Sequence, residues 1–278
     1  MGAEASRTAR MVACFRGRAS AAHPGICDDP WALRLGGEDG AHDAQRYERA
    51  HPHMVLYMAL RTAFFDDAVR AGAADGIRQV ILLGAGLDTR AARLGRPGLA
   101  FFEVDRPESQ RDKRERLAAL DGYPTAATYV GCDFEREDFL DRLVASGFDP
   151  SAPAVFVWEG VTYYLREETV RGTLDRIARG CHPRTRVFFD TVGKRFASGQ
   201  LTDPREQDAR RLVAELGEPI LFGIDDPVPL AAACGYRHVR TLTFDALALG
   251  LVGAYVREHR MRFQAVHELR REPPERPS

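Results

Sequence analysis

The residues of this chain best placed to do chemistry sit where apolar runs end. Gly84-Ala85-Gly86 closes the run Val80 to Leu83. Glycines at such a junction allow a tight turn and let a ligand lie against the backbone. The next run, Leu99 to Val104, ends at Asp105, and an acid at the tip of a second strand accepts hydrogen bonds from a ribose diol. Asp133-Phe134 follows Tyr129 to Cys132. The carboxylate suits the exocyclic amine of adenine and the ring suits its face; equally, the aspartate would cap the charged helix that follows. Glu159 ends the run Ala154 to Trp158, where an acid can face a cationic ligand group. Arg61 interrupts an apolar helical stripe. It must meet a ligand carboxylate or pair with Asp66 or Asp67, because a bare guanidinium is costly to bury. Arg7, Arg10, Arg16 and Arg18 stud the first helix, a solvated basic face unless one of them turns inward onto a carboxylate.

The hydropathy pattern supplies an α/β scaffold for these side chains. Val80 to Leu83 is apolar on both faces, as a central parallel strand between helices must be. Residues 54–74 repeat apolar positions at three and four, which predicts a helix before that strand. Asp88 or Thr89 caps a short helix to Leu94. Pro107 to Leu120 predicts a charged, solvent-facing helix, and Glu137 to Ser146 and Glu167 to Gly180 two more. Ala154 to Trp158 and Arg186 to Asp190 are the fourth and fifth strands. Residues 1–20 read as one amphipathic helix, Asp29-Pro30-Trp31 opens a short one, and Gly36 to His53 is loop with a helical stretch (DAQRYERAHPH). Val228 to Cys234 is a helix, and Tyr236 to Phe244 and Met261 to Leu269 are the last two strands. The expected organisation is a helical cover over 1–75 and an α/β domain over 76–270. A lid is inserted at about 191–220, and a disordered tail covers 271–278.

Bulk properties exclude several classes. The 39 basic and 40 acidic residues leave a formal charge of −1, which gives nucleic acid no electrostatic purchase. No apolar run approaches the ~20 residues that cross a bilayer, and no leader segment is visible, so no membrane partner is expected and the location is cytoplasmic. Cys14, Cys27, Cys132, Cys181 and Cys234 lack zinc-ligand spacing and read as buried thiols. His51 and His53 share no helical face and gain no further ligand nearby, so no metal site is expected.

In GAGLDT the sixth position is Thr89, preceded by Asp88. A dinucleotide fingerprint would place there the glycine that lets a helix pack over a pyrophosphate, and Asp88 would repel phosphates. An adenosine derivative without phosphates is therefore expected. S-Adenosylmethionine fits, with a diol, an adenine and a zwitterionic tail for Arg61. The chain also resembles the leucine carboxyl methyltransferase-like family of class I S-adenosylmethionine-dependent methyltransferases. It is most similar to the bacterial branch that includes O-methyltransferases of polyketide and other natural-product pathways. The resemblance rests on SRTA (6–9), DDPWA (28–32), ALRTAFFDDAV (59–69), RQVILLGAGLDTRAARL (78–94), FFEVDRP (101–107), Asp133-Phe134, GFDPSAPAVFVWEGVTYYL (147–165) and the FGI turn (222–224). Its one departure is Phe134, where the family usually has leucine. The fold then expected is a Rossmann-like, seven-stranded doubly wound sheet with the last strand antiparallel.

The resemblance implies a role for each site residue. Arg61 grips the methionyl carboxylate, with Arg16 reaching it from the amino-terminal helix. Gly84 and Gly86 admit the cofactor, Asp105 binds the ribose, Asp133 and Phe134 the adenine, and Glu159 faces the amine. The implied activity is O-methyl transfer to a small-molecule carboxylate or phenolic hydroxyl in secondary metabolism, leaving S-adenosylhomocysteine. A carboxylate acceptor needs no base. A hydroxyl needs one, and His51 and His53, in a segment able to fold over the site, are the first candidates, with Asp190 a third. Tyr163 lines the pocket beside Tyr164. Tyr57, Phe64, Tyr163 and Phe196 fit a flat, aromatic or polyketide-like acceptor. Two rival readings are a protein C-terminal carboxyl methyltransferase, for which no docking extension is seen, and a non-catalytic cofactor-binding scaffold, against which the intact site set argues. The protein is expected to be a monomer or homodimer.

Overall fold

The computed structural model describes residues 6–124, 127–134, 136–253 and 261–272. The strands are β1 (Gln79–Leu83), β2 (Ala100–Asp105), β3 (Ala127–Gly131), β4 (Ala154–Trp158), β5 (Arg186–Val192), β6 (His238–Thr243) and β7 (Gln264–Arg270). They form one seven-stranded sheet in the order β3-β2-β1-β4-β5-β7-β6. Neighbours from β3 to β5 are parallel, and β7 runs antiparallel to both β5 and β6. This is the expected doubly wound sheet with its last strand antiparallel. Every residue of β1 and β4 is buried, which is why their sequences are apolar without alternation. The chain winds outward from β1 to β3 and returns to β4, so strand order reverses between β1 and β4 and a crevice opens beyond their carboxyl ends.

Three helices precede the sheet: α1 (Arg7–Ala22), α2 (Ala32–Ala50) and α3 (Met54–Ala74). The crossovers carry α4 (Arg90–Leu94), α5 (Pro107–Ala118), α6 (Phe139–Ala145) and α7 (Glu167–Gly180). After β5 come α8 (Lys194–Ala197), α9 (Pro204–Glu215) and α10 (Val228–Ala233), and α11 (Phe244–Val252) follows β6. Alternate strand residues feed two cores. Val80, Leu82, Val155 and Val157 pack with Tyr57, Leu60 and Phe65 of α3. Ile81, Leu83, Phe156 and Trp158 pack with Leu140 of α6 and Leu174 and Ile177 of α7 on the other face.

Four elements differ from expectation. The segment read as loop with a helical stretch is helical from Gly36 to Ala50, as part of the 19-residue α2, bent at Gly37 with φ 67°; the glycines of its first part signal close packing rather than a loop. Trp31 is the cap residue of that helix, and Asp29 Oδ1 accepts from the Trp31 and Ala32 N–H groups. One face of α5, expected in solvent, is buried at Ser109, Gln110 and Lys113. Helix α11 had no counterpart in the sequence reading. All five cysteines are buried free thiols. Among the described residues no helix is long and apolar enough to cross a membrane. The expected disordered tail lies outside the described residues except for Arg271 and Glu272.

Helices α1 and α2 cross at glycines. A Cβ on Gly36 would collide with Cys14 Sγ and lie 2.8 Å from the Arg10 carbonyl oxygen, and one on Gly40 would lie 2.5 Å from that same oxygen. Gly36→Ala should therefore destabilise the fold by about 1–3 kcal/mol, the usual cost of overpacking. Urea unfolding measures it, and an unchanged midpoint would refute the tight crossing.

Candidate active site

A cleft of about 520 Å³ opens over the carboxyl ends of β1, β2 and β4. Arg16, Arg61, Gly84, Gly86, Asp105, Asp133, Phe134 and Glu159 all border it. The structure thus brings to one cleft residues that the sequence spreads over all of its first four strands and two of its helices.

The turn after β1 forms the floor. Gly84 and Gly86 have φ of 63° and 47°, a backbone that favours glycine. A Cβ on Gly84 would lie 2.5 Å from Val161 Cγ2. The Gly86 N–H donates to Asp105 Oδ2 at 2.6 Å and the Arg106 N–H to Asp105 Oδ1 at 2.7 Å. Asp105 therefore ties the turn to the tip of β2. The carboxylate keeps accepting capacity for a ligand hydroxyl. Burial pushes its carboxyl above the ordinary range, and the two N–H groups restrain the rise. Asp133 and Phe134 stand at the far side, with the Phe134 ring 6.4 Å from that of Trp158. Asp133 is not the helix cap: Asp138 Oδ1 accepts from the Leu140 and Asp141 N–H groups.

Beneath the cleft, beside Arg16, Arg61 and Glu159, charged side chains alternate in sign. Arg61 Nε donates to Glu159 Oε1 at 2.8 Å and Nη1 to Asp190 Oδ2 at 3.1 Å. Arg90 Nη1 lies 2.6 Å from Glu159 Oε2 and 2.5 Å from Asp88 Oδ2, and its Nε donates to Asp66 Oδ1 at 2.8 Å. Arg93 Nη1 donates to Asp66 Oδ2 at 2.5 Å, and its Nε lies 3.7 Å from Asp29 Oδ2. Arg16 Nε closes the series on the same Asp29 oxygen at 2.5 Å. The expected alternative for Arg61, a pair with Asp66 or Asp67, does not form: Asp66 belongs to Arg90 and Arg93, and Asp67 to Arg70. Burial works against each charge and the neighbours oppose it. At Asp88, Arg90, Arg16 and Lys113 outweigh burial and hold the carboxyl below its usual range. At Asp190 burial wins over Arg61 and the Gly160 N–H, and the carboxyl is pushed up to about 6.

Arg61 still has hydrogen-bonding capacity. Its Nη2 contacts the Met58 thioether at 3.4 Å, a weak acceptor that a carboxylate would readily replace. A ligand with a carboxylate and an ammonium thus finds both signs here, on Arg61 and Glu159. Thr8 of α1 adds a buried Oγ1 with no hydrogen-bond partner among the described residues, at the cleft wall. Together with the Asp105 tip and the glycine turn, this donor and acceptor set fits S-adenosylmethionine.

The proton acceptors expected from sequence sit elsewhere. His51 is buried, its ring 5.3 Å from Tyr47 and 5.4 Å from Phe263, and His53 stands 6.5 Å from Phe244. Neither borders the cleft. Tyr163 is buried behind Tyr164, with ring centroids 4.6 Å apart, and it is Tyr164 that faces the opening. Asp190 lies under Arg61 and accepts from the Gly160 N–H at 2.7 Å. Sequence reading missed Asp29, Asp66, Arg90 and Arg93 as site supports. Their signal was the pair Arg90 and Arg93 in an otherwise apolar helix start after the glycine turn.

Comparisons with known proteins bear on the family and the fold. The family model for leucine carboxyl methyltransferase matches residues 9–178. The chain is 35% identical over 249 residues to a provisionally named S-adenosyl-L-methionine-dependent methyltransferase of Mycolicibacterium vanbaalenii, covering 84% of this chain and 78% of that one. A protein of the same name from Mycolicibacterium paratuberculosis is 38% identical over 194 residues, covering 65% of this chain and 64% of its own length. In fold the chain is similar to a DUF574 family protein from Streptomyces avermitilis (TM-score 0.64, 15% identity, 96% and 98% covered). A provisionally named methyltransferase from Thermobifida fusca is a second structural match (TM-score 0.61, 17% identity, 94% of each chain).

The shifted Asp190 makes stability depend on pH. Its carboxyl titrates near 6 when folded and near ~4 when unfolded. Between these values the folded state binds the extra proton, so stability falls as pH rises from about 4 to 6. Urea unfolding across that range should show the fall in the native protein relative to Asp190→Asn. A pH-independent difference between the two would disprove the shift.

Proposed function

The chain belongs to the leucine carboxyl methyltransferase family of S-adenosylmethionine-dependent methyltransferases, and from that premise we propose that it methylates a hydroxyl oxygen of an apolar small molecule. The observation that supports this reading is the apolar share of the cleft lining: Ala9 and Val12 of α1, Tyr164, Leu165, Pro219 and Leu221 border it, with Glu218 in the same stretch as Pro219 and Leu221. The cations that border the cleft lie beside acids: Arg16 on Asp29, Arg61 on Glu159 and Asp190, and Arg136 3.5 Å from Asp133, while Arg106 follows Asp105 directly. A carboxylate entering the cleft there would leave water without a cation to receive it, which is costly. A neutral hydroxyl carries no such cost. The same argument weighs against a protein C-terminal carboxylate as acceptor.

The bound cofactor supplies a methyl group already activated on a sulfonium. The chain has then to bind, align and exclude water. In this reading Asp105 holds the ribose, Asp133 and Phe134 the adenine, Arg61 the carboxylate and Glu159 the ammonium. The helices of residues 6–75 and the segment 191–220 act as the cover. Glu218 takes the proton of the acceptor hydroxyl as its oxygen attacks. It is half-buried, makes no ion pair among the described residues, and borders the cleft with Tyr164. Burial, with Tyr163 and Glu218 adding to it, keeps the Tyr164 phenol protonated, so Tyr164 can donate to the acceptor rather than compete for the methyl group.

Two measurements test the reading. Asp105→Ala should weaken S-adenosylhomocysteine binding in calorimetry by at least about tenfold, the loss of a charged acceptor to two hydroxyls. Glu218→Gln should leave that binding intact and slow methylation of naphthol by roughly 10²–10⁴. With radiolabelled cofactor, naphthol should be preferred to naphthoate. Preference for naphthoate would sink the hydroxyl assignment while leaving the methyltransferase assignment standing.

A further inference from the structure

Two buried cations hold successive carbonyls of the turn that floors the cleft. From the α1 side, Arg16 Nη2 donates to the Leu87 carbonyl at 2.6 Å. From the α5 side, Lys113 Nζ donates to the Asp88 carbonyl at 2.5 Å and to Glu103 Oε2 at 2.6 Å. Lys113 is 1% exposed, although its helix has the composition of a solvated surface. Its neighbours on the buried face of α5 bond to β2. Gln110 Nε2 donates to the Glu103 carbonyl at 3.0 Å, and Ser109 borders the cleft and hydrogen-bonds the Asp105 carboxylate.

A buried ammonium is a costly way to fill space, since an apolar side chain of similar volume packs there without desolvation. Glu103 explains only part of it. Glu103 and Asp105 lie on one face of β2, and Asp88 is close by, so three acids gather under the turn. The strand ladder ends just before this point: the Gly84 and Ala85 N–H groups both donate to the Val104 carbonyl, at 2.8 and 3.2 Å. Past that point the Leu87 and Asp88 carbonyls are held by side chains. An ammonium shared between Glu103 and the Asp88 carbonyl fixes the far end of the turn relative to β2, and with it the Gly86 N–H that orients Asp105.

We propose that Lys113 is a positioning residue for the cofactor: by pinning the Asp88 carbonyl against β2 it sets the turn and the Asp105 carboxylate in register for the ribose of S-adenosylmethionine. The lysine need not touch the cofactor. Its effect falls on the adenosine half, because the turn and Asp105 lie there, while Arg61 and Glu159 are held by other partners. The proposal rests on the family's cofactor and not on the nature of the acceptor.

The test uses the full chain and two probes, S-adenosylhomocysteine and adenosine, with binding read by calorimetry and folding by thermal denaturation. Lys113→Met removes the pin but strands Glu103. Lys113→Met combined with Glu103→Gln removes both charges, so stability recovers while the Asp88 carbonyl remains unheld. Both variants should bind both probes roughly tenfold more weakly, one charge-assisted hydrogen bond of preorganisation. Native affinity in the double variant would overturn the proposal and leave the lysine as the structural partner of Glu103. So would a loss seen with S-adenosylhomocysteine and absent with adenosine. Binding by the unmodified protein is the separate check on the cofactor itself.

Discussion

The cleft depends on a buried chain of alternating charges. Four guanidinium groups (Arg16, Arg93, Arg90, Arg61) and five carboxylates (Asp29, Asp66, Asp88, Glu159, Asp190) run through it with contacts of 2.5 to 3.7 Å. Any one of these charges alone in the interior would cost several kcal/mol. Alternation makes the set tolerable, and it also makes the set cooperative, because removing one member strands its neighbours. The chain draws on α1, the turn before α2, α3, α4, the turn after β1, and the tips of β4 and β5. The amino-terminal helices are therefore held to the sheet by charge as well as by apolar packing.

That arrangement explains how a cleft can hold a zwitterion. Five acids against four bases leave one negative charge, shared around Glu159 and Asp190. S-Adenosylmethionine carries one net positive charge, from its sulfonium and ammonium against its carboxylate. The charge chain thus complements the cofactor in overall charge. Asp190, whose side chain is fully buried, is the one whose ionisation burial resists most visibly; it holds one nitrogen of the Arg61 guanidinium while another rests on the Met58 thioether.

What the sequence made legible was whatever is local. The apolar run before Gly84, the acid after the second run and the three-four periodicity of residues 54–74 each follow from contacts within one element, and β1, β2 and α3 lie where they indicate. Partners distant in sequence were not legible. Glu159 and Asp190 lie 98 and 129 residues from Arg61, and no periodicity reports that. The apolar residues around Arg61 showed that it needed an acid, but of the nearest acids in sequence Asp66 serves Arg90 and Arg93 and Asp67 serves Arg70. Lys113 failed for a different reason. A helix written PESQRDKRERLA has charges on every side, so composition cannot tell the buried face from the wet one; only the acids and carbonyls of β2 and the turn distinguish Ser109, Gln110 and Lys113. Residues 36–40 misled through glycine, which serves loops and tight helix crossings alike.

The cleft has two walls of different physics, and they need not change together. Its floor is made of the glycine turn, Asp105 and the charge chain, all mutually hydrogen-bonded, so a substitution there disturbs several elements. Its roof is made of α1 side chains and the stretch 217–221. The stretch is fixed at one end by the Leu221 and Phe222 N–H groups, which donate to the Tyr163 carbonyl at 2.8 and 3.2 Å. None of Gly217, Glu218, Pro219 or Leu221 belongs to the charge chain. A side chain can therefore be exchanged in that stretch without stranding a buried charge. The floor is tied to the stability of the fold through its charges, while the stretch 217–221 is held by backbone bonds and by the buried Ile220 and the adjoining Phe222. Leu221 illustrates the freedom: it borders the cleft yet is 56% exposed, so its size and polarity are constrained by what enters the opening more than by the core beneath it.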